Sequence, residues 1–318
     1  QEARAVVARL GRRAEVPLFV TADYEWGVGT ARSNFTELPG AMAYGAADSE
    51  ALAEVGGAVT ALEARATGVN VLFAPVADVN NNPANPIINT RSFGEDPQRV
   101  GELAAAYVRG AQAHGVLATL KHFPGHGNTD TDTHVAFAAV PGTWAQLAAT
   151  ELVPFRVALD AEPGFVMSTH LWAQALDRTA TPATFSRRAL TDVLRDSLGY
   201  EGLITTDAMN MGAVRDRYTA RDRAVLPLVA GADIVLNETS PRRAMQYVVQ
   251  AVERGDLPRA RVDASARRIL LAKARLGLHT APTPDRSRLA QMLTEVRGAR
   301  FADALTRAAV TVVRPGPL

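Results

Sequence analysis

VLATLKHFPGHGNTDTDTH, Val116 to His134, is a short apolar run that turns abruptly into a stretch with almost nothing to bury. Val116, Leu117, Ala118 and Leu120 read as a strand. From Lys121 onward, His122, His126 and His134 alternate with Asp130, Asp132 and a Pro-Gly pair, so half of the chain's 6 histidines lie here. Burying unpaired charge costs too much for such a segment to pack a core. It must face solvent or a ligand, and its proton-transfer groups point to chemistry: a strand delivering a functional loop.

Outward from this stretch the same pairing repeats. Candidate strands are Pro17–Ala22, Val69–Val76, Val116–Lys121, Gly164–Thr169, Gly202–Thr206 and Asp233–Leu236. Between them lie amphipathic stretches, Glu50–Thr67, Pro97–His114, Trp144–Asp160, Arg187–Leu198 and Arg242–Arg254. Strands that read as continuous apolar runs, alternating with helices, predict a parallel sheet covered by helices. Polar residues recur just past the strands: Asp23 and Glu25, Asp78, His122, His170, Asp207, then Asn237 and Glu238. A (β/α)8 barrel gathers such groups at the carboxyl ends of its strands. A doubly wound sheet would concentrate them near one switch point, with a glycine-rich phosphate turn that GVGTARS at Gly27–Ser33 matches poorly.

The expected fold is therefore α/β, a TIM-type (β/α)8 barrel, incomplete with about six βα units present. Roughly two units are missing at the start, where QEARAVVARLGRRA reads as a helix entered partway through a longer protein. The barrel domain is expected over residues 1–278. Residues 279–318 are expected to hold a proline-containing linker (HTAPTPDRS), a helix over Leu289–Ala309 and, in TVVRPGPL, the start of a second α/β domain.

Composition removes several function classes. Lys+Arg 34 nearly balances Asp+Glu 33 without a basic block, so nucleic acid is not an implied partner. The absence of cysteine excludes disulfides, thiolate metal sites and a cysteine nucleophile. No apolar run approaches the roughly 18 residues of a membrane helix.

Asp207, in EGLITTDAMNMGA, follows a strand and precedes a helix start, which suits a nucleophile, an electrostatic stabiliser or a helix N-cap. His134 lies two residues after Asp132. A carboxylate-held imidazole is a common general acid or base, and a solvated loop histidine is the plainer alternative. Lys121 and His122 emerge where their strand ends and suit hydroxyl groups of a polar ligand, or salt bridges across a barrel mouth. Asp23 is the corresponding acceptor after its own strand, or a cap. Arg91, in NTRSFGEDP, offers a planar fork of donors, or an ordinary surface charge. Trp26 and Tyr24 flank Glu25 and suit a sugar ring or rim packing. His126 reads as a loop-shaping residue and His170 as part of the pocket wall. His122, His126, Asp130, Asp132 and His134 contain enough ligands for a metal, but the Pro-Gly pair keeps the two histidines at i and i+4 off a shared helix face. No metal and no cofactor is expected.

KHFPGHG followed by Asp132-Thr133-His134, with TDAMNM at Thr206–Met211, resembles the catalytic domain of glycoside hydrolase family 3, in its bacterial β-N-acetylglucosaminidase branch. The resemblance runs from about Pro17 to Leu278. It implies His134 as general acid/base with Asp132 orienting it, and Thr133 standing where serine is usual. It implies Asp207 as nucleophile, Lys121 and His122 as a substrate-gripping pair, and Arg91 and Asp23 as sugar contacts. The segment after Asp23 departs from the family's pattern, DYEWGVGTAR shifting the expected arginine to Arg32. The implied activity is a retaining exo-β-N-acetylglucosaminidase, removing terminal β-linked N-acetylhexosamine from glycans or peptidoglycan fragments. The alternatives are a phosphorylase or β-glucosidase of the same family, and a non-catalytic sugar-binding barrel. The implied partner is an N-acetylglucosamine-containing carbohydrate, in a bacterial cytoplasmic, periplasmic or secreted setting. The family's barrel has two strands upstream, and larger members carry a second α/β domain.

Overall fold

The structure is a computed structural model that describes residues 2–279 and 298–311. Its helices are α1 (Glu2–Gly11), α2 (Ala41–Ala47), α3 (Glu50–Thr67), α4 (Pro97–Ala113), α5 (Trp144–Ala149), α6 (Leu152–Ala158), α7 (Gly212–Arg215), α8 (Ala220–Ala230), α9 (Pro241–Arg254), α10 (Arg259–Arg275) and α11 (Gly298–Ala308). The strands are β1 (Thr21–Ala22), β2 (Val71–Leu72), β3 (Leu117–Phe123), β4 (Ala139–Val140), β5 (Phe165–Ser168), β6 (Trp172–Ala173), β7 (Leu203–Ala208) and β8 (Ile234–Leu236). Six of them form one sheet in the order β1-β2-β3-β5-β7-β8, every neighbouring pair parallel. This is a half-barrel, the incomplete (β/α)8 arrangement that six strand-and-helix units imply. β4 and β6 pair separately as a short parallel ribbon beside it.

Alternation along the strands separates two cores. Val71, Phe73, Phe165, Met167 and Leu203 pack together on the concave side, joined by Phe19, whose ring meets Phe165 edge-on at 5.3 Å. Their neighbours Leu72, Ala118, Leu120, Val166 and Ile204 point the other way into the main core under the helices. A strand buried on both faces needs apolar residues at every position, hence the unbroken runs.

Local chemistry sets the helix ends. The Ser49 side chain accepts from the Leu52 N–H at the start of α3, and Gly68, at φ 93, ends that helix. Asp96 caps α4, and Pro97 fills a first-turn position that needs no amide donor. The backbones of α3 and α4 cross closely at Gly57 and Gly110, where an added Cβ would collide with main-chain atoms of Tyr107 and Glu54. The stretch expected as one helix over Trp144–Asp160 is broken into α5, α6 and a 3-10 turn at Leu159–Ala161. Pro154 explains the break: its ring conflicts with the carbonyl four residues earlier, and Thr150 leaves helical geometry (φ -125, ψ -76). The Arg187–Leu198 stretch forms a wider π-helical segment, Arg188–Ser197. The α8 and α10 helices were not singled out from sequence.

α11 packs on α2 and α3, with Leu305 buried in the main core and Phe301 against it. Most of the HTAPTPDRS linker, the first part of the Leu289–Ala309 helix and nearly all of TVVRPGPL lie outside the described residues. No helix among the described residues is long and apolar enough to cross a membrane.

Candidate active site

A cleft of about 780 Å³ opens at the carboxyl ends of the strands. Asp23, Arg91, Lys121, His122, His134 and Asp207 all line it, with Glu25, Trp26, Asn210 and Asn237. Asp132 supports it from just outside the lining. Residues as far apart in sequence as Asp23 and Asn237 thus meet because parallel strands all end on the same rim.

The floor is built around Glu25. Alternation past β1 sends Asp23 and Glu25 to one side and the buried Tyr24 to the other. Glu25 accepts from Lys121 Nζ at 2.6 Å and from Arg91 Nε and Nη2 at 2.8 and 2.9 Å, a bidentate pair. Lys121 Nζ also donates to Asp23 Oδ1 at 2.9 Å. Burial alone would raise the Glu25 pKa, but Lys121 and Arg91 hold it far below the ordinary carboxylate range. Burial likewise opposes the Lys121 charge, and Glu25 and Asp23 hold its pKa above the usual value. Both cations are therefore fixed and charged. From sequence Glu25 was only a polar residue after the first strand; the period-two spacing from Asp23 was the available signal.

His122 sits where the β3–β5 register slips between Lys121 and Phe123, so His122 and Lys121 both reach the cleft. The fully buried Asp78 holds it. Asp78 Oδ2 lies 2.7 Å from His122 Nδ1, and Oδ1 accepts the backbone N–H groups of His122 (3.1 Å) and His126 (2.7 Å). A carboxylate in this setting accepts, so Nδ1 carries the proton and Nε2 is left to accept from Arg91 Nη2 at 3.4 Å. Burial would raise the Asp78 pKa, but His122 and His126 bring it below the usual value. Asn85 ties the Arg91 segment to the loop after β3: its Nδ2 donates to His126 O and Gly127 O, and its Oδ1 accepts from Ile87 N and Ile88 N.

Asp207 ends β7 on the opposite side. It is not a helix cap, because α7 begins at Gly212 with Met211 in the cap position. Oδ1 accepts from the Ala208 N–H at 2.7 Å. Burial raises its pKa, yet His122, His170, that N–H and Lys121 together keep it below the ordinary range. Asp207 is thus kept as an anion at the cleft wall. His170, expected in the pocket wall, is instead fully buried behind the rim and absent from the cleft lining. Its Nε2 donates to Ala208 O at 3.1 Å and its Nδ1 meets Thr184 Oγ1 at 2.9 Å, so it braces the chain next to Asp207.

His134 comes from the loop. Asp132 Oδ1 lies 2.8 Å from both the backbone N and Nδ1 of His134, which places the proton on Nδ1 and frees Nε2 toward the cleft. Burial would raise the Asp132 pKa, and the His134 amide and ring hold it below the usual value. The remaining loop groups diverge. Asp130 accepts from Thr131 Oγ1, and His126 turns inward to Thr133, so the five groups that might have ligated a metal do not converge. Trp26 lines the cleft while Tyr24 lies beneath it, and the displaced Arg32 is exposed and outside the lining. The sequence reading assigned no role to Asn210, which accepts from Asn237 Nδ2 at 3.2 Å on the rim.

Residues 2–272 match the family model described as the glycosyl hydrolase family 3 N terminal domain. A beta-hexosaminidase A from Pseudoalteromonas piscicida is 35% identical over 289 residues, which is 83% of this chain and 48% of that protein. Among solved structures, a glycoside hydrolase family 3 beta-N-acetylglucosaminidase from Paenibacillus sp. superposes with a TM-score of 0.83 at 35% identity, over 93% of this chain and 59% of that one. A beta-glucoside phosphorylase superposes with a TM-score of 0.90 at 27% identity, over 96% and 57%. The chain thus spans about half the length of these relatives.

Proposed function

The chain belongs to glycosyl hydrolase family 3, and on that premise we propose that it forms the catalytic barrel of a retaining, exo-acting β-N-acetylglucosaminidase. Its substrate is a glycan or peptidoglycan fragment ending in a β-linked N-acetylhexosamine. One observation carries the reading: Asp207 and the Asp132-held His134 line the same cleft.

In the first step an Asp207 carboxylate oxygen bonds to the anomeric carbon as the glycosidic C–O bond breaks. His134 enters this step as an imidazolium, with Nδ1–H held by Asp132 and a second proton on Nε2. It gives the Nε2 proton to the departing oxygen, leaving a glycosyl-enzyme ester and a neutral imidazole. In the second step that imidazole takes a proton from water as the water oxygen displaces Asp207, so the anomeric configuration is retained and both groups return to their starting states. Lys121, Arg91, Asp23 and His122 grip the sugar hydroxyls, and Asp132 keeps the imidazole in the required tautomer. The names of the β-hexosaminidase and β-N-acetylglucosaminidase relatives support the sugar.

A second reading has phosphate as the acceptor. An imidazole base brings no fixed negative charge to the acceptor side, where a carboxylate would repel an anion, and the fold is also that of a beta-glucoside phosphorylase. The test is turnover of paired aryl β-N-acetylglucosaminide and β-glucoside substrates, with and without phosphate. The proposal expects the glucosaminide to be preferred and its rate to be independent of phosphate. A glucoside preference would overturn the sugar assignment, and release of a glycosyl phosphate would overturn hydrolysis in favour of the second reading.

A further inference from the structure

In Asp132-Thr133-His134 the outer two side chains are partly exposed, at 33% and 57%, whereas Thr133 is 1% exposed. Its Oγ1 lies 2.9 Å from Nε2 of His126, a residue itself 2% exposed. His126 is fixed in turn, because its backbone N–H donates to the buried Asp78, the carboxylate that also holds His122. Among the described residues, His126–Thr133 is the one side-chain hydrogen bond joining residues 129–134 to the rest of the barrel. The other links are backbone bonds: locally from Val135 N and Ala136 N to Asp132 O at 3.1 and 3.0 Å, and from the start of α7, Ala213 N to Thr133 O at 3.3 Å and Gly212 N to His134 O at 3.0 Å.

We propose that His126 is a positioning residue for the acid/base pair: through Thr133 it holds Asp132 and His134 at the cleft. This rests on the reading of His134 as the general acid. The geometry explains why a buried threonine stands between two working residues. Asp132 and His134 bond to each other, and that bond fixes the imidazole relative to its carboxylate without fixing either relative to the sugar. Backbone bonds from Gly212 and Ala213 tie the pair to the β7 side of the cleft. The Thr133 hydroxyl supplies a second reference on the other side, tying it through His126 to Asp78 and so to the residues that grip the substrate. His126 Nδ1 is buried with no hydrogen-bond partner. An orphaned lone pair is tolerated better than an orphaned N–H, so Nε2 carries the proton and donates to Thr133 Oγ1. Burial keeps this ring neutral by pulling its pKa down to about 4.

The experiment is a double-mutant cycle of Thr133→Val and His134→Ala, read as kcat/KM on aryl glycosides with good and poor leaving groups. Thr133→Val keeps the shape and removes only the hydroxyl. It is expected to lose roughly 10–100-fold on poor leaving groups, the scale of a misplaced catalytic group, and little on good ones. Thr133→Ser is expected to stay near wild type. In the His134→Ala background Thr133→Val should add no further loss, because nothing is left for it to position. Wild-type activity in Thr133→Val, an equal loss across leaving groups, or the same loss in both backgrounds would overturn the positioning role. A His134→Ala variant indifferent to leaving group would instead remove the acid assignment, and this inference with it.

Discussion

On the floor of the cleft Lys121 is 2% exposed and shares Glu25 with Arg91, whereas on the loop side His134 is 57% exposed and has Asp132 as its side-chain partner. Lys121 lies in β3 and Glu25 just past β1, strands that cannot move without disturbing the sheet, and Arg91, on a turn between β2 and α4, is tied to them through the buried Glu25. The loop residues meet over two positions of chain and face water. In the proposed function, a floor of this kind would fix where a sugar lies before reaction, so that little reorganisation remains at the chemical step. A loop-borne acid must reach a leaving group that differs between substrates, and freedom there costs little stability.

The largest effect that can break this comparison is expected at Asp207, the proposed nucleophile. Asp207→Ala should lower kcat/KM on an aryl glucosaminide by about 10⁴-fold or more while leaving the melting temperature near wild type. A correctly folded variant with substantial activity would remove Asp207 from the mechanism. Stability should then divide the two regions. Glu25→Ala leaves Arg91 without its carboxylate partner and the buried Lys121 with only the exposed Asp23, and should cost roughly 3–5 kcal/mol in urea unfolding. Asp132→Ala breaks a part-exposed local pair and should cost about 1 kcal/mol or less. Equal costs would mean that floor and loop do not differ in the way described.

A smaller effect comes with pH. His126 has its folded pKa held down to about 4 by burial, against roughly 6.5 in an unfolded chain. Between those values the unfolded state binds the proton and the folded state does not, so stability falls as pH drops through this window. The loss from this residue should reach roughly 3 kcal/mol by pH 4. Unfolding of His126→Gln should show a correspondingly flatter pH dependence from pH 7 to 4, and an unchanged slope would contradict the buried neutral ring. The smallest effect is expected at Arg32, exposed and outside the cleft lining. Arg32→Ala should leave kcat/KM unaltered and stability within about 0.5 kcal/mol; a raised KM would bring that residue back into the site.

The same contrast explains what was legible in the sequence. Four of the six sheet strands fall within the expected stretches, and β3 and β7 start within theirs and run on to Phe123 and Ala208, because runs such as Val116–Leu120 carry the signature of strands buried on both faces. The Asp132–His134 pair was legible because its partners are two residues apart. The Glu25 and Asp78 links were not, since they span from 44 to 96 residues and depend on which strands lie side by side. His170 was misplaced for a related reason: a histidine at a strand end turns either to the cleft or behind the rim, and only the Thr184 and Ala208 partners decide which. The break near Thr150 was present in the sequence as Pro154 and was outweighed by helical periodicity on either side.

The most direct measurement of the central claim is mass-spectrometric mapping after reaction with an activated fluoro-sugar, whose fluorine slows breakdown of a glycosyl-enzyme. The account predicts one sugar equivalent, as an ester on the peptide that contains Asp207. A sugar on another residue, or steady turnover of the reagent with no covalent adduct, would contradict it.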